Sequence, residues 1–242
     1  MGILNLSELR ERYGQVSKQA LLRGKVPWFD PERIEKQGIL SLLLSARQFA
    51  RGRLLDVGCG KKPYRILFDG IVDEYLGIDL SRGNDSAVDA CGSALDLPVL
   101  TESVETILCT QVLEHLPDPK QAVLEMYRVL KKGGHLILTA PMVWELHGEP
   151  FDYFRFTPYG LETLARSSGF EVVYIKATTG VWAVIGQQLS CIFYKLFGKP
   201  KCFFDLALKL SLCFLVQETF LLLDKIAHNE RESLGHILVA IK

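Results

Sequence analysis

The chain has 242 residues, of which 48 % are hydrophobic, and its 28 basic and 28 acidic residues give a formal net charge of zero. This length suits one α/β domain with additions, and the apolar fraction supplies a sizeable core. A neutral chain has no global positive field that would attract nucleic acid, so we expect no nucleic-acid partner.

The predicted elements fall into regions that differ in composition and in predicted secondary structure. Residues 1–50 look helical and include the apolar stretch ILSLLLSARQFA. Residues 51–180 alternate short strands with helical patterns, residues 181–234 form an apolar helical insertion, and residues 235–242 supply a last strand. Seven strands are predicted, over residues 53–57, 75–79, 87–90, 104–109, 135–139, 171–175 and 236–241. Strands separated by helices predict parallel βαβ units with right-handed crossovers.

Two helices of the middle region carry clear end signals. The first has Asp118 as its N-cap and Pro119 at its first position, and the glycine pair at 133–134 is predicted to end it. The second is predicted over residues 158–168, with Thr157 as its N-cap.

The stretch LLDVGCG, residues 54–60, poses the question of a ligand at the end of the first strand. Ligands of open α/β sheets bind outside the carboxyl ends of the strands. Gly58 and Gly60 would let the backbone approach a ligand without a Cβ, and a following helix would offer free N–H groups. Asp79 ends the next strand, where a carboxylate can accept both ribose hydroxyls of an adenosine or can simply cap a helix. The dinucleotide fingerprint GxGxxG is incomplete because Pro63 occupies the third glycine position, which disfavours a nicotinamide oxidoreductase.

Four stretches occur in order: LLDVGCGKKPY, YLGIDLS, LDLPVLTESVETILCTQVLEHLPDP and RVLKKGGHLILTAP. Together they resemble class I S-adenosylmethionine-dependent methyltransferases of the type 11 family, over about residues 50–180. The resemblance implies a Rossmann-like, seven-stranded, mostly parallel sheet whose last strand is antiparallel. It also implies S-adenosylmethionine as the cofactor.

The resemblance places the methionine part of the cofactor on the glycine loop, the ribose on the acidic residue after the second strand, and the adenine edge on a loop near position 93. The residues matching these cofactor-binding positions are Asp56, Gly58, Cys59, Gly60, Asp79, Leu80, Ser93, Ala94 and Gln111. Two positions depart from the family pattern. Lys62 replaces a third glycine, and Ser93 replaces an aspartate that binds the adenine amine, although a serine hydroxyl can still accept a hydrogen bond.

The segment MVWELHGEPFDYFRFTP, residues 142–158, follows the fifth strand and should overhang the substrate. Its ionisable and aromatic side chains are typical of a binding loop. Methyl transfer needs a base only when the acceptor is a hydroxyl or a protonated amine, and His147 and then Asp152 are the predicted candidates. Tyr153 and Arg155 are predicted to bind substrate. The alternative is a structural lid in which Arg155 pairs with Asp152.

The stretch EHLPDP after the fourth strand offers a second acid and histidine, Glu114 and His115. They look like an acid/base pair, but in the family this pattern mostly opens a helix, with the histidine packed near the end of the sheet. No CxxC pair and no histidine at metal-ligand spacing from a cysteine occurs. The cysteines therefore predict reduced thiols, a cytoplasmic location and no metal site.

The insertion leaves three alternatives open. Pro200 divides it into two helices, and three charges within the second, predicted over 203–223, disfavour a membrane-spanning helix. Residues 181–228 could pack as a separate lobe, form a homodimer interface or lie on a membrane surface near a lipid-linked substrate. We expect a methyltransferase acting on a small-molecule, glycan or lipid-linked acceptor. A catalytically inactive binding or scaffold protein is the alternative.

Overall fold

The computed structural model describes residues 25–27, 30–81, 87–196 and 203–242. In this part of the chain a seven-stranded sheet has the order β3-β2-β1-β4-β5-β7-β6. The strands are β1 Arg53–Val57, β2 Glu74–Asp79, β3 Ala90–Cys91, β4 Val104–Thr110, β5 Leu130–Pro141, β6 Glu171–Ala177 and β7 Gly235–Ile241. The α-helices are α1 Arg33–Ala46, α2 Pro119–Val129, α3 Pro158–Ser167, α4 Val181–Leu196 and α5 Phe203–Ile226.

The sheet is parallel from β3 to β5, and β7 runs antiparallel between β5 and β6. This confirms the predicted Rossmann-like α/β fold with an antiparallel last strand. Strand order reverses direction between β1 and β4, so loops diverge there and leave a crevice at the carboxyl edge. The glycine loop after β1 lies at this crevice.

Alternating side chains of the strands build two core layers. On β1, Leu54 packs with α1 on one face, while Leu55 packs on the opposite face with α2 and α3. Successive side chains of a strand point to opposite faces, so one apolar run serves both layers. The helix α1, from the region preceding the first motif, thus covers this face of the sheet together with Leu67 and Phe68.

The predicted helix ends are confirmed at the N-termini and wrong at one C-terminus. Asp118 accepts a hydrogen bond from the Gln121 N–H, and Thr157 accepts one from the Gly160 N–H. The helix α2 stops at Val129, four residues before the glycine pair, because β5 begins at once at Leu130. Sheet pairing with β4 therefore overrides the local glycine signal.

Two other expectations near the crevice are wrong. Between β1 and β2, where every residue is described, no α-helix follows the glycine loop; residues Arg65–Leu67 form only a 3-10 turn. Pro63 and the positive φ of Lys62, 52°, keep this backbone from starting a helix. The third strand, predicted over residues 87–90, is a two-residue strand at 90–91, because the Asp89 carboxylate accepts from Gly77 N–H and pairs with Lys62.

The helices α4 and α5 of the insertion pack on each other and on α1. Gln187 of α4 accepts from the Ile34 N–H and donates to the Pro31 carbonyl, at 3.1 and 2.8 Å. A Cβ added at Gly186 would lie 2.4 Å from the Phe220 side chain, which shows how closely the two helices approach. Among the described residues, no helix has the length and apolar character needed to cross a membrane. Dimer formation and membrane-surface contact through this insertion stay predictions.

Candidate active site

A cavity of about 510 Å³ opens at the carboxyl ends of β1, β2 and β4. The predicted cofactor residues that line it are Gly58, Asp79, Leu80, Ser93, Ala94 and Gln111. Three other predicted residues, Asp56, Cys59 and Gly60, are not among the lining residues. From the far side, His115, Phe151 and Tyr153 close the same cavity. One space therefore joins the predicted cofactor side to the loop predicted to hold substrate.

The glycine loop needs its glycines for two different reasons. Gly58 has φ +71°, and an added Cβ would lie 2.3 Å from the Val112 side chain. Gly60 has φ +48°, and its added Cβ would meet nothing within 4 Å. Gly58 thus permits close packing of two loops, whereas Gly60 leaves open space beside the cavity.

The Asp79 carboxylate is held in place by two backbone donors. Its Oδ2 accepts from Gly60 N–H at 2.8 Å, and its Oδ1 accepts from Leu80 N–H at 2.7 Å. An ionised carboxylate has about four acceptor positions, so each oxygen keeps capacity for one more donor. Two adjacent hydroxyls, as in a ribose, suit this arrangement.

Asp56 lies beneath the glycine loop in the buried end of β1. Its Oδ2 accepts from the Tyr75 hydroxyl at 2.6 Å, while its Oδ1 has no hydrogen-bond partner among the described residues. Burial raises the pKa of Asp56 to about 7, against the lowering effect of the Tyr75 hydrogen bond. An orphaned carboxylate oxygen favours a nearby cation, as the methionine ammonium of the cofactor would be.

The two departures from the family pattern are accommodated. Lys62 adopts the positive φ that a glycine would have, and its ammonium lies 2.5 Å from Asp89 Oδ2, which turns this long side chain away from solvent. Ser93 Oγ accepts from Leu95 N–H at 3.1 Å and retains a second lone pair. Ser93 lines the cavity, whereas Lys62 does not.

Gln111 bridges the cavity floor to β5. Its backbone N–H donates to the Thr139 carbonyl at 3.0 Å, and its side-chain amide donates to Thr139 Oγ1 at 3.2 Å. It adopts φ +53°, an uncommon conformation for a residue that is not glycine. Such strained backbone is found preferentially at functional sites.

The loop over residues 142–157, which we call the roof loop, covers the cavity and is held by hydrogen bonds and an ion pair. Tyr153 N–H and Phe154 N–H donate to the Glu114 carbonyl, at 2.7 and 3.3 Å. Arg155 forms a two-pronged ion pair with Asp152, at 2.6 and 2.8 Å. The geometry matches the lid alternative, in which these two residues pair with each other.

This pairing bears on the predicted roles of the loop. The Arg155 guanidinium holds the pKa of Asp152 well below its usual range, so this carboxylate is a weak base. Arg155 also donates to the carbonyl oxygens of Glu145 and Trp144, and it is not a lining residue of the cavity. Tyr153 does line the cavity. The catalytic and substrate-binding assignments of these residues stay predictions.

The two histidines of the site meet at a buried acid. The rings of His115 and His147 are edge to face, with centroids 4.7 Å apart. Their Nε2 atoms lie 3.8 and 3.9 Å from Glu114 Oε1. Burial raises the pKa of Glu114 to about 7, and neither of its carboxylate oxygens has a hydrogen-bond partner among the described residues. His115 lines the cavity, whereas His147, the predicted base, does not.

The meeting of these three side chains was missed by sequence reasoning. EHLPDP was a visible signal for Glu114 and His115, but His147 lies 32 positions further along. Only the return of the roof loop over the end of β4 brings it beside them. We call Glu114, His115 and His147 the Glu-His-His cluster.

Comparison with known proteins agrees with the fold. The family described as "Methyltransferase domain" matches residues 55–138. The chain is 28 % identical over 141 residues to a probable S-adenosylmethionine-dependent methyltransferase of Mycolicibacterium smegmatis, covering 52 % of this chain and 55 % of the relative. It is 32 % identical over 103 residues to a ubiquinone biosynthesis O-methyltransferase of Alkalilimnicola ehrlichii, covering 36 % and 40 %. The chain thus spans about half the length of the curated relatives it matches.

The solved structures extend the likeness beyond the matched segment. The [4+2]-cyclase SpnF superposes with a TM-score of 0.54 at 23 % identity, covering 86 % of this chain and 81 % of that one. Residues 55–138 thus match a methyltransferase domain, and the sheet with its carboxyl-edge cavity resembles that of class I S-adenosylmethionine-dependent methyltransferases.

Proposed function

We propose that this protein transfers a methyl group from S-adenosylmethionine to a hydroxyl of a small-molecule, glycan or lipid-linked acceptor. The observation that carries the proposal is the shared cavity, which has Asp79 on one side and His115 with Tyr153 on the other. The name of the relative described as a ubiquinone biosynthesis O-methyltransferase supports a hydroxyl acceptor.

The residues of the chain divide the work between positioning and proton handling. When bound, S-adenosylmethionine supplies an electrophilic methyl group on a sulfonium. Asp79 would hold the ribose, and the orphaned oxygen of Asp56 would favour the ammonium group. Phe151 and Tyr153 would cover the acceptor and exclude water, which favours in-line transfer by alignment. The acceptor hydroxyl would lie beside the Glu-His-His cluster, which borders the cavity through His115, and its proton would be released to solvent water.

Label transfer tests the proposal across all three acceptor classes at once. The protein is incubated with methyl-labelled S-adenosylmethionine and, separately, with polar metabolite, glycan and lipid fractions. We expect label in one fraction, lost in Asp79→Ala and retained in Asp73→Ala, which changes an exposed aspartate just before the opposite end of β2. Binding of S-adenosylhomocysteine without transfer to any fraction would contradict the proposal.

A binding or scaffold protein is the second candidate, and two observations favour it. The structural neighbour SpnF is named as a cyclase, so a chain of this fold can carry another role. The helix α5 also leaves Leu215 and Leu222 more than half exposed, at 63 and 58 %. Exposed apolar side chains of this kind are typical of a surface that meets a partner.

A further inference from the structure

The Glu-His-His cluster places three metal-ligating side chains together at the edge of the cavity. One ligand atom from each of them lies within 4.8 Å of the others. Glu114 is completely buried, and both of its carboxylate oxygens lack a hydrogen-bond partner among the described residues. A buried carboxylate without donors is costly, so its retention calls for a ligand or a proton.

The backbone around the histidines determines which ring nitrogens face the acid. His115 Nδ1 lies 2.6 Å from the Phe151 carbonyl, and His147 Nδ1 lies 3.1 Å from the Glu145 carbonyl. A carbonyl oxygen only accepts hydrogen bonds, so each Nδ1 must carry the proton. In the neutral rings both Nε2 atoms therefore carry a lone pair, and they lie 3.8 and 3.9 Å from Glu114 Oε1.

We propose that the Glu-His-His cluster is a binding site for a divalent first-row transition metal. When Glu114 is ionised, three lone-pair donors converge, and a cation is the species that such a set attracts. Two imidazoles and one carboxylate suit Zn²⁺, Co²⁺, Mn²⁺ or Fe²⁺, whereas Mg²⁺ and Ca²⁺ prefer oxygen ligands.

The surroundings of the cluster have further features of metal sites. Metal-binding histidines usually donate their second ring N–H to a carbonyl or carboxylate, which fixes the ring. Both histidines do so here, and Asp152 Oδ2 lies 3.5 Å from His147 Nδ1. Tetrahedral ligands at about 2.0–2.1 Å from zinc are about 3.4 Å apart, so the 3.8 and 3.9 Å separations from Glu114 Oε1 require a contraction of about half an ångström. The ligand atoms of the two histidines lie within 4.8 Å of each other and require a contraction of at most about 1.4 Å.

The location gives the metal a function that rests on the proposed methyl transfer. His115 lines the cavity, so an ion at the cluster would have its open position on the acceptor side. A hydroxyl bound there would lose its proton to solvent water and keep the electron pair on oxygen, because a divalent ion lowers the pKa of a bound hydroxyl. The metal site itself depends only on the three side chains.

Cobalt(II) is the probe, because its visible absorption reports the ligands directly. Untagged protein freed of metal with a chelator is titrated with Co²⁺, and S-adenosylhomocysteine binding is measured on the same samples. The variants are Glu114→Gln and His147→Ala. The control is His228→Ala, which removes an exposed histidine that also lies near two carboxylates, those of Asp224 and Glu230.

We expect one Co²⁺ per wild-type chain, displaced by Zn²⁺, with the affinity reduced at least tenfold in both cluster variants and unchanged in His228→Ala. All four proteins should still bind S-adenosylhomocysteine, which shows that the variants are folded. No spectral change in wild-type protein that binds S-adenosylhomocysteine would overturn the metal site, and so would unaltered Co²⁺ binding in His147→Ala. Loss of S-adenosylhomocysteine binding in the wild type would instead count against the proposed function.

Discussion

Removal of the Asp79 carboxylate should weaken adenosyl-ligand binding more than any other single change at the cavity floor. Asp79 is oriented by Gly60 N–H and Leu80 N–H, so its free lone pairs are fixed before a ligand arrives. Hydrogen bonds to a charged group contribute about 1.5–3 kcal/mol each. Two ribose hydroxyls therefore correspond to about 3 kcal/mol at the lower bound, which is about a 100-fold increase in Kd for Asp79→Ala.

Two assays measure this loss. Calorimetric titration with S-adenosylhomocysteine gives Kd directly. In thermal unfolding, ligand at 100 times the wild-type Kd adds about 2.7 kcal/mol of stability, and a 100-fold weaker Kd leaves about 0.4 kcal/mol. Asp73→Ala, the exposed control at the residue that precedes the same strand, should retain the full effect. A Kd within twofold of wild type in Asp79→Ala would refute the assignment of Asp79 to the ribose.

Three further predictions concern stability. Burial raises the pKa of Glu114 from 4.5 to about 7. Between these pH values the native state binds more protons than the unfolded state. The free energy of unfolding of the metal-free protein should therefore fall by up to about 3 kcal/mol as pH rises from about 5 to 7. Urea unfolding should show a flatter pH profile in Glu114→Gln, and an equal slope would contradict this. Gly38→Ala places a Cβ 2.6 Å from the Thr178 carbonyl oxygen and should cost about 1–3 kcal/mol in urea unfolding. Gly58→Ala should be destabilised by its positive φ and by contact of the new Cβ with Val112. Adding Val112→Ala should then restore part of the stability. If the changes in the free energy of unfolding of the two single variants simply add in the double variant, the contact is disproved.

Much of the fold could be predicted because its signals are local. The sequence 53–57 is a short apolar run closed by a glycine, and the structure confirms those bounds for β1. Asp118 and Thr157 act as N-caps through bonds to residues three positions away, a spacing that can be counted along the chain. The order of the four motifs then predicted the antiparallel last strand through resemblance rather than through any property of the residues themselves.

Other features depend on partners distant in sequence and could not be predicted. Lysines are typical of the last turn of a helix, yet Lys131 pairs with Glu105 of β4 and belongs to a strand. The positive φ of Lys62 is stabilised by its contact with Asp89, 27 positions away. No local pattern distinguishes such a lysine from an exposed one, since its environment exists only after the sheet has formed.

Glu114 links the two halves of the site through different parts of one residue. Its carbonyl oxygen accepts two backbone N–H groups of the roof loop, while its carboxylate faces the two histidines. Glu114→Gln keeps the first set of contacts and changes only the second. The cofactor side, by contrast, depends on Asp79, which shares the cavity with His115 and has no contact with the cluster among the bonds described above. Because independent sites give additive effects, Asp79→Ala should lose S-adenosylhomocysteine and keep Co²⁺, and Glu114→Gln should do the reverse. Loss of both ligands in either variant would mean that the roof loop, rather than the individual side chains, organises the whole cavity.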